Sequence, residues 1–197
     1  MRSAEYERGT TETKVKVKLE IDGKGLFTCK TGIGFLDHML ELIVRHGRFD
    51  AEITAKGDIN VDFHHTVEDV GIALGKAFSA ALGDMRGITR YGSFMLPMDE
   101  SLVLVALDFS GRPHLSCDLQ IPAQKVGDFD TELVHEFFEA FCNSAGLTLH
   151  LKQLAGFNSH HIIEAAFKGF GRALRQAVTI DAEFSGEIPS TKGLLKN

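Results

Sequence analysis

The sequence contains the motif His-His-x-x-Glu twice, with the second copy 96 residues after the first (His64 to His160). Imidazole and carboxylate groups are the usual nitrogen and oxygen ligands of metal ions in proteins. Two matching clusters indicate a duplicated chain that brings two copies of one ligand set to a shared metal centre. The residues of the two motifs are His64, His65, Glu68, His160, His161 and Glu164.

The spacing within each motif has a geometric consequence if the motif lies on a helix. Residues i and i+4 project from the same face of a helix, one turn apart. His64 can therefore share one ion with Glu68, and His160 can share another with Glu164. The second histidine of each doublet points about 100° away, because a helix has 3.6 residues per turn. We predict that these second histidines cross over to the opposite ion.

The duplication extends beyond the histidine motifs. Alignment of the two halves places Lys24 on Arg112 and, in the same register, Glu12 on Glu100. An insertion over residues 123–130 accounts for most of the change in offset along the second half. A repeat of this length predicts that each half folds as one supersecondary unit.

The hydrophobic pattern predicts the same order of elements in both halves. The alternating segment 15–21 is predicted to be a strand, with 26–30 as its hairpin partner joined through Asp22-Gly23. Asp62 and Ser159 are the predicted N-caps of the long helices. The other predicted elements are helices over 35–44, 64–82, 131–142 and 159–178, strands over 49–55, 93–98 and 147–154, and a hairpin of 102–109 with 115–120.

These elements predict an α+β fold built as a tandem repeat of two similar halves. Each half is a small mixed sheet with helices covering one face. We place the first repeat at 1–92 and the second at 93–197, and we expect the two to pack closely as one unit because no linker separates them.

Composition excludes several classes of protein. A net charge of −6 argues against a broad nucleic-acid-binding surface. No apolar run approaches the length of a membrane span, and the polar N-terminal segment lacks the apolar core of a secretory signal, so we expect a cytoplasmic protein without membrane contact. Three cysteines without a C-x-x-C motif predict neither a disulfide framework nor a thiolate zinc site.

The shorter predicted helix of each half carries one more histidine, His38 in the first half and His135 in the second. Their recurrence at equivalent places indicates a ligand role. The predicted total divides into three imidazoles and one carboxylate for each of two ions, which leaves room for water or substrate. Such nitrogen and oxygen ligation suits manganese, iron, zinc or cobalt, and the composition does not decide among them.

A second group of residues suits an anion. Arginine binds phosphate through a forked pair of donors, and lysine acts as a point charge. Hydroxyl groups beside an ammonium group in the C-terminal segment PSTKG also suit phosphate. The predicted phosphate-binding residues are Arg90, Arg112, Lys168, Ser190 and Lys192.

Together these segments resemble the imidazoleglycerol-phosphate dehydratase family of histidine biosynthesis. The matching stretches run through nearly the whole chain and are GIGFLDHML (32–40), DFHHTVEDVGIALG (62–75), TRYGS (89–93), PMDESLV (97–103), SGRPHL (110–115), HEFF (135–138), NSHHIIEAAFKGFGRAL (158–174) and PSTKG (189–193).

The resemblance implies an enzyme with two Mn²⁺ per subunit that dehydrates D-erythro-imidazole glycerol phosphate to imidazole acetol phosphate. It implies a fold in which each repeat is a four-stranded mixed sheet with two helices on one face (ribosomal protein S5 domain 2-like). It also implies a homo-oligomeric shell of 24 subunits with active sites at subunit interfaces. The implied metal ligands are His38, His64, His65, Glu68, His135, His160, His161 and Glu164, and the implied proton-transfer base is Glu12.

The chemistry explains why such a reaction requires metals. The proton to be removed lies on a carbon beside an imidazole ring and is only weakly acidic. A metal-bound imidazolate can accept electron density as this proton leaves, and a second ion can assist the loss of hydroxide. A base must still move the proton.

Two alternatives use the same ligands. A dinuclear metallohydrolase would release inorganic phosphate from a phosphate ester. A non-catalytic metal-binding shell would have no need for a phosphate-binding group of arginine, lysine and serine residues.

Overall fold

The computed structural model describes residues 1–195, which form two four-stranded mixed sheets, a small two-stranded sheet and four helices. The α+β fold class and the two similar halves are confirmed. The elements of the first half are β1 (Ser3–Gly9), β2 (Lys14–Glu20), β3 (Phe27–Lys30), α1 (Gly34–Gly47), β4 (Asp50–Lys56) and α2 (His64–Leu82). Those of the second half are β5 (Tyr91–Met98), β6 (Ser101–Asp108), β7 (His114–Asp118), β8 (Lys125–Val126), β9 (Phe129–Asp130), α3 (Leu133–Ala145), β10 (Thr148–Ala155) and α4 (Ser159–Val178).

The two large sheets have matching strand orders, β1-β2-β4-β3 in the first half and β5-β6-β10-β7 in the second. In each sheet three strands are antiparallel, and the last strand, β3 or β7, runs parallel to its neighbour. The two halves contact each other through their helices, since α1 packs against α4 and α2 packs against α3.

The predicted hairpin between 15–21 and 26–30 is wrong, because β4 lies between β2 and β3. The side chain of Asp50 explains the difference. Its Oδ1 accepts hydrogen bonds from the backbone N–H groups of Lys24 (2.7 Å), Gly25 (3.0 Å) and Leu26 (2.7 Å), which fixes this segment at the start of β4. The predicted hairpin of 102–109 with 115–120 is wrong in the same way, since β10 separates β6 from β7.

Strand β1 was not predicted from the sequence. It pairs antiparallel with β2 over its whole length and occupies the place that β5 has in the second sheet. Its side chains are half-buried or exposed throughout, so the segment lacks the apolar alternation that reveals a strand.

Both long helices begin and end where the pattern predicted, but their caps differ. In α2 the predicted cap Asp62 is wrong, because the N-cap is Phe63; the carboxylate of Asp62 still accepts a hydrogen bond from the backbone N–H of His64 at 2.8 Å. In α4 the predicted cap Ser159 is wrong, because Asn158 has the extended backbone and accepts from the N–H groups of the next two histidines.

The contact between the halves depends on glycines at repeat-equivalent places. A Cβ atom on Gly75 would lie 2.7 Å from the carbonyl oxygen of Phe141, and one on Gly171 would lie 2.6 Å from the carbonyl oxygen of Ile43. The absence of side chains at these two positions therefore lets α2 approach α3 and lets α4 approach α1. This approach brings side chains of both halves into a common site.

The outer faces of the two large sheets both carry exposed ion pairs, among them that of Lys152 with Asp118 on the second sheet. The first sheet carries paired charges, including the ion pairs of Lys18 with Glu52 and of Lys16 with Glu5. The second sheet exposes Met95 on β5. None of the helices within residues 1–195 combines the length and the apolar character needed to cross a lipid bilayer.

Candidate active site

Three predicted ligands from both halves converge on one point, which we call the His160 cluster (His38, His160 and Glu164). His38 comes from α1, and the other two come from α4. Oε2 of Glu164 lies 2.9 Å from Nε2 of His160 and 3.7 Å from Nε2 of His38. These three ligand atoms all lie within 4.8 Å of one another, which is the spacing that a single cation can bridge.

The carboxylate of Glu164 is held in its ionised form although it is nearly buried, with 9% of its side chain exposed. Burial by itself raises the pKa of this group, but the hydrogen bond and positive charge of Lys168, together with His160, leave the pKa below its ordinary value. Lys168 contacts the second carboxylate oxygen, Oε1. Oε2 thus remains directed at the two imidazoles.

An aromatic wall supports one side of the His160 cluster. The ring of Phe35 contacts the edge of the His160 ring at a centroid distance of 5.4 Å, and Phe129 packs on Phe35 at 5.1 Å. Phe129 belongs to β9, so the insertion over 123–130 forms a small hairpin at this site. Phe35 and His38 also line a cavity of about 450 Å³ with Phe63 and residues of the hairpin.

A second convergent group, the His65 cluster, consists of Glu12, Asp58 and His65. Nδ1 of His65 lies 3.0 Å from Oδ2 of Asp58 and 3.6 Å from Oε2 of Glu12. The hydrogen bond with Asp58 raises the pKa of His65 above its ordinary value. Oδ1 of Asp58 is buried and has no hydrogen-bond partner among the residues that the structure describes.

His161 has a corresponding environment in the second half. Its Nδ1 lies 2.7 Å from Oε2 of Glu100, and its Nε2 lies 3.6 Å from a carboxylate oxygen of Asp99. The hydrogen bond with His161 is the largest of several that hold the pKa of Glu100 far below its usual range. The same bond raises the pKa of His161.

The remaining predicted ligands, His64, Glu68 and His135, do not form a comparable group within residues 1–195. His135 lies on α3 with its Nε2 3.6 Å from a carboxylate oxygen of Glu139. The rings of His64 and His65 are mutually perpendicular, at 90°, and those of the second doublet are nearly so, at 84°. The two histidines of each doublet therefore face different directions.

The predicted phosphate-binding residues separate into two places. Arg90, Arg112, Ser190 and Lys192 line one pocket of about 270 Å³, which we call the basic pocket. Lys168 is not among the residues that line it and instead contacts Glu164. One protomer therefore does not unite all five predicted residues.

Arg90 also holds together two segments of the chain at the basic pocket. Its guanidinium group donates to Asp108 through Nε (2.7 Å) and Nη2 (3.1 Å), and its Nη1 donates to the carbonyl oxygen of Pro189 at 2.9 Å. Arg90 thus ties the segment that carries Ser190 and Lys192 to strand β6. The guanidinium of Arg112 makes only a 3.4 Å contact with the carbonyl oxygen of Ser110 and is more available to an anion.

Sequence reasoning did not identify Asp58, Glu100 or Phe129 as residues of the site. A signal existed for Glu100, because it aligns with Glu12 in the repeat. Asp58 has no such counterpart, and Phe129 lies in the insertion.

The donor chemistry of the His160 cluster fits a divalent metal ion. Two imidazole nitrogens and one carboxylate oxygen form a set that manganese, iron, zinc and cobalt accept. Near His65, the buried Oδ1 of Asp58 is a further polar atom, and it has no hydrogen-bond partner among the described residues. The fold and these sites define a duplicated α+β enzyme in which the first half contributes a histidine, and the second half a histidine and a carboxylate, to the His160 cluster.

Comparison with known proteins identifies the particular family. The family model described as imidazoleglycerol-phosphate dehydratase matches residues 31–174. The chain belongs to this family, which makes it a hydro-lyase of histidine biosynthesis.

Individual relatives agree over the full length of the chain. The imidazoleglycerol-phosphate dehydratase of Azorhizobium caulinodans is 60% identical over 195 residues, which are 99% of this chain and 99% of the relative. That of a Synechococcus strain is 60% identical and covers 100% of this chain and 98% of the relative. The crystal structure of the enzyme from Pyrococcus furiosus superposes with a TM-score of 0.83 at 39% identity, covering 96% of this chain and 99% of that one.

Proposed function

We propose that the enzyme uses two Mn²⁺ ions per subunit to dehydrate D-erythro-imidazole glycerol phosphate to imidazole acetol phosphate. The observation that carries this proposal is the convergence of His38, His160 and Glu164 from two halves of the chain. Imidazole nitrogens and a carboxylate oxygen are donors that a manganese ion accepts.

The proposed ligands are those of the two duplicated motifs and the two short helices: His38, His64, His65, Glu68, His135, His160, His161 and Glu164. When bound, the ions would supply Lewis-acid chemistry that makes the carbon beside the imidazole ring a stronger acid and assists the departure of the hydroxyl group.

Glu12 is the proposed base that removes the proton. Its carboxylate is 54% exposed and 3.6 Å from Nδ1 of His65, so it lies beside a proposed ligand and remains open to substrate. The backbone around it is fixed, because the hydroxyl of Thr10 accepts from the N–H groups of Glu12 (3.1 Å) and Thr13 (2.9 Å). Thr13 in turn donates to the buried Asp69 of α2. A base on a fixed backbone segment keeps its place relative to the bound substrate.

The basic pocket is the proposed site of the substrate phosphate. Arg112 and Lys192 supply positive charge, and Ser190 supplies a hydroxyl group. Arg90 contributes charge at the pocket wall and holds the tail in place through Pro189. Binding the phosphate at a fixed point would hold the reacting carbons of the substrate in position.

We also propose that the active site is completed by neighbouring copies of the chain in a cytoplasmic shell of 24 subunits. The His160 cluster offers three ligands rather than four. Lys168 also lies outside the basic pocket of its own protomer. Subunit contacts that join these parts would account for both observations.

Metal analysis combined with an activity assay tests the proposed reaction. The purified chain should contain two Mn²⁺ per subunit and should convert imidazole glycerol phosphate to a ketone without releasing inorganic phosphate. Chelation should abolish the turnover, and Mn²⁺ should restore it. Undiminished activity after thorough chelation, or release of phosphate, would contradict the proposal.

Light scattering coupled to size exclusion tests the proposed assembly separately. The manganese-loaded chain should elute with the mass of 24 subunits. A monomer that is fully active would show that no neighbouring copy completes the site.

A further inference from the structure

The second histidine of each doublet is held at the same ring atom by a carboxylate. Nδ1 of His161 contacts Glu100 at 2.7 Å, and Nδ1 of His65 contacts Asp58 at 3.0 Å. A carboxylate accepts hydrogen bonds, so each Nδ1 carries the proton. In a neutral ring the lone pair then resides on Nε2, the atom that would face a cation.

Glu100 is itself held rigidly. Its Oε1 accepts hydrogen bonds from the hydroxyl of Ser101 (2.9 Å) and from the backbone N–H groups of Asn158 (2.9 Å) and Phe157 (3.3 Å). Its Oε2 remains for His161. The carboxylate therefore joins the β5–β6 turn to the residues just before α4, and it fixes the ring against this frame.

Asp58 contacts the second histidine of the first doublet, but its other hydrogen bonds differ from those of Glu100. It lies between β4 and α2, and its Oδ2 contacts His65. Its other oxygen is buried and makes no hydrogen bond with any residue that the structure describes. The hydrogen bond between Asp58 and His65 is thus not reinforced through the second oxygen of Asp58.

We propose that Glu100 and Asp58 are positioning residues that fix the tautomer and orientation of His161 and His65, so that Nε2 of each ring is presented to a metal ion. The inference rests on the proposed binding of two ions per chain. The two carboxylates are not repeat-equivalent, since the counterpart of Glu100 is Glu12. Each half thus uses a different carboxylate to position the second histidine of its doublet. Each carboxylate should therefore affect the binding affinity for a different ion.

The substitutions Glu100→Gln and Asp58→Asn test this inference. An amide group can present its NH₂ to Nδ1, which would place the ring proton on Nε2 and remove the lone pair from the cation. Loss of an outer partner of a metal-bound histidine typically costs about 10- to 100-fold in metal affinity. We expect each variant to lose about 10- to 100-fold in affinity for one of the two Mn²⁺ ions and to bind the other ion as the parent chain does.

The affinities are measured by Mn²⁺ titration followed by electron paramagnetic resonance, and Co²⁺ loading provides a visible spectrum that reports changes in coordination number and geometry. Matched controls are Glu52→Gln and Asp118→Asn, which remove carboxylates from exposed ion pairs with lysines on the sheets. Both controls should titrate as the parent chain does. A Glu100→Asp variant, which keeps the carboxylate, should recover part of the lost affinity.

The outcomes separate the inference from the proposed function. If the parent chain binds two ions and both amide variants bind them with unchanged affinity and an unchanged Co²⁺ spectrum, the positioning role is wrong while the proposed function stands. If the parent chain itself binds no Mn²⁺, the proposed function fails and the inference fails with it.

Discussion

Glu12 and Glu100 occupy equivalent positions in the two halves but have opposite surroundings. The carboxylate of Glu100 accepts hydrogen bonds from Ser101, Phe157, Asn158 and His161. The carboxylate of Glu12 is 54% exposed, and one of its oxygens lies 3.6 Å from Nδ1 of His65. Duplication thus supplied two carboxylates beside two histidine doublets, and only the first remained free to meet a substrate.

The comparison shows how a symmetric scaffold can support an asymmetric reaction. A base needs access to the substrate proton, whereas a positioning group needs a hydrogen bond that holds the metal-binding histidine. In the first half this repeat position holds Glu12, which is accessible as a base must be. In the second half it holds Glu100, which makes the hydrogen bonds that a positioning group requires. The following predictions test how far this division of roles extends.

The largest effect on activity is expected for the substitution Glu12→Gln. The amide cannot accept the substrate proton, so the turnover number should fall by about 10²- to 10⁴-fold, the usual contribution of a general base. Manganese content and subunit assembly should remain as in the parent chain. Glu7→Gln, which removes an exposed carboxylate from β1, is the matched control. Full turnover of the Glu12 variant would exclude it as the base.

The repeat also pairs Arg112 in the basic pocket with Lys24 in the first half. Arg112→Ala should raise the KM for substrate by about 10- to 100-fold, because a hydrogen bond to a charged group contributes about 1.5–3 kcal/mol. Lys24→Ala should leave KM unchanged. Steady-state kinetics measures KM for both variants. Equal increases in KM would show that the phosphate is not bound in the basic pocket.

The crossing of α1 with α4 and that of α2 with α3 should lose similar stability when a glycine in the contact is replaced by a larger residue. Gly171→Ala and Gly75→Ala each place a methyl group against a backbone carbonyl oxygen. Each should lower the free energy of unfolding by about 1–3 kcal/mol, which exceeds the roughly 1 kcal/mol gained in helix propensity. Denaturant unfolding of the metal-free variants measures this change. A difference of more than about 2 kcal/mol between them would show that the crossings are not equivalent.

The smallest effect is expected on the outer face of the first sheet. Glu52→Gln breaks the exposed ion pair with Lys18, and such pairs contribute about 0.2–1 kcal/mol. Thermal unfolding should show almost no shift. A loss above about 1 kcal/mol would mean that this charged face is covered in the assembled protein.

Local signals in the sequence predicted most of the helices, whereas strand pairing required contacts that are distant in sequence. The apolar spacing defined α2 and α4 to the residue. The strand order could not be predicted in the same way, because the three hydrogen bonds to Asp50 that direct 24–26 toward β4 leave no periodic pattern. Strand β1 was missed because neither of its faces is fully buried.

The candidate site was predictable to the extent that the duplication revealed it. The convergence of His38 with His160 and Glu164 follows from repeated histidines at matching places. The sequence does not reveal the partners of the second histidines, because Asp58 has no repeat counterpart and the alignment of Glu100 with Glu12 does not indicate a contact with His161.

The His160 cluster draws one ligand from the first half and two from the second, across the crossing of α1 with α4. A chain of half this length could therefore not have built such a cluster alone. Two identical half-length ancestors, joined about a twofold axis, would have formed it twice. Fusion of two such genes would have made the pair permanent and allowed the two copies of each residue to diverge.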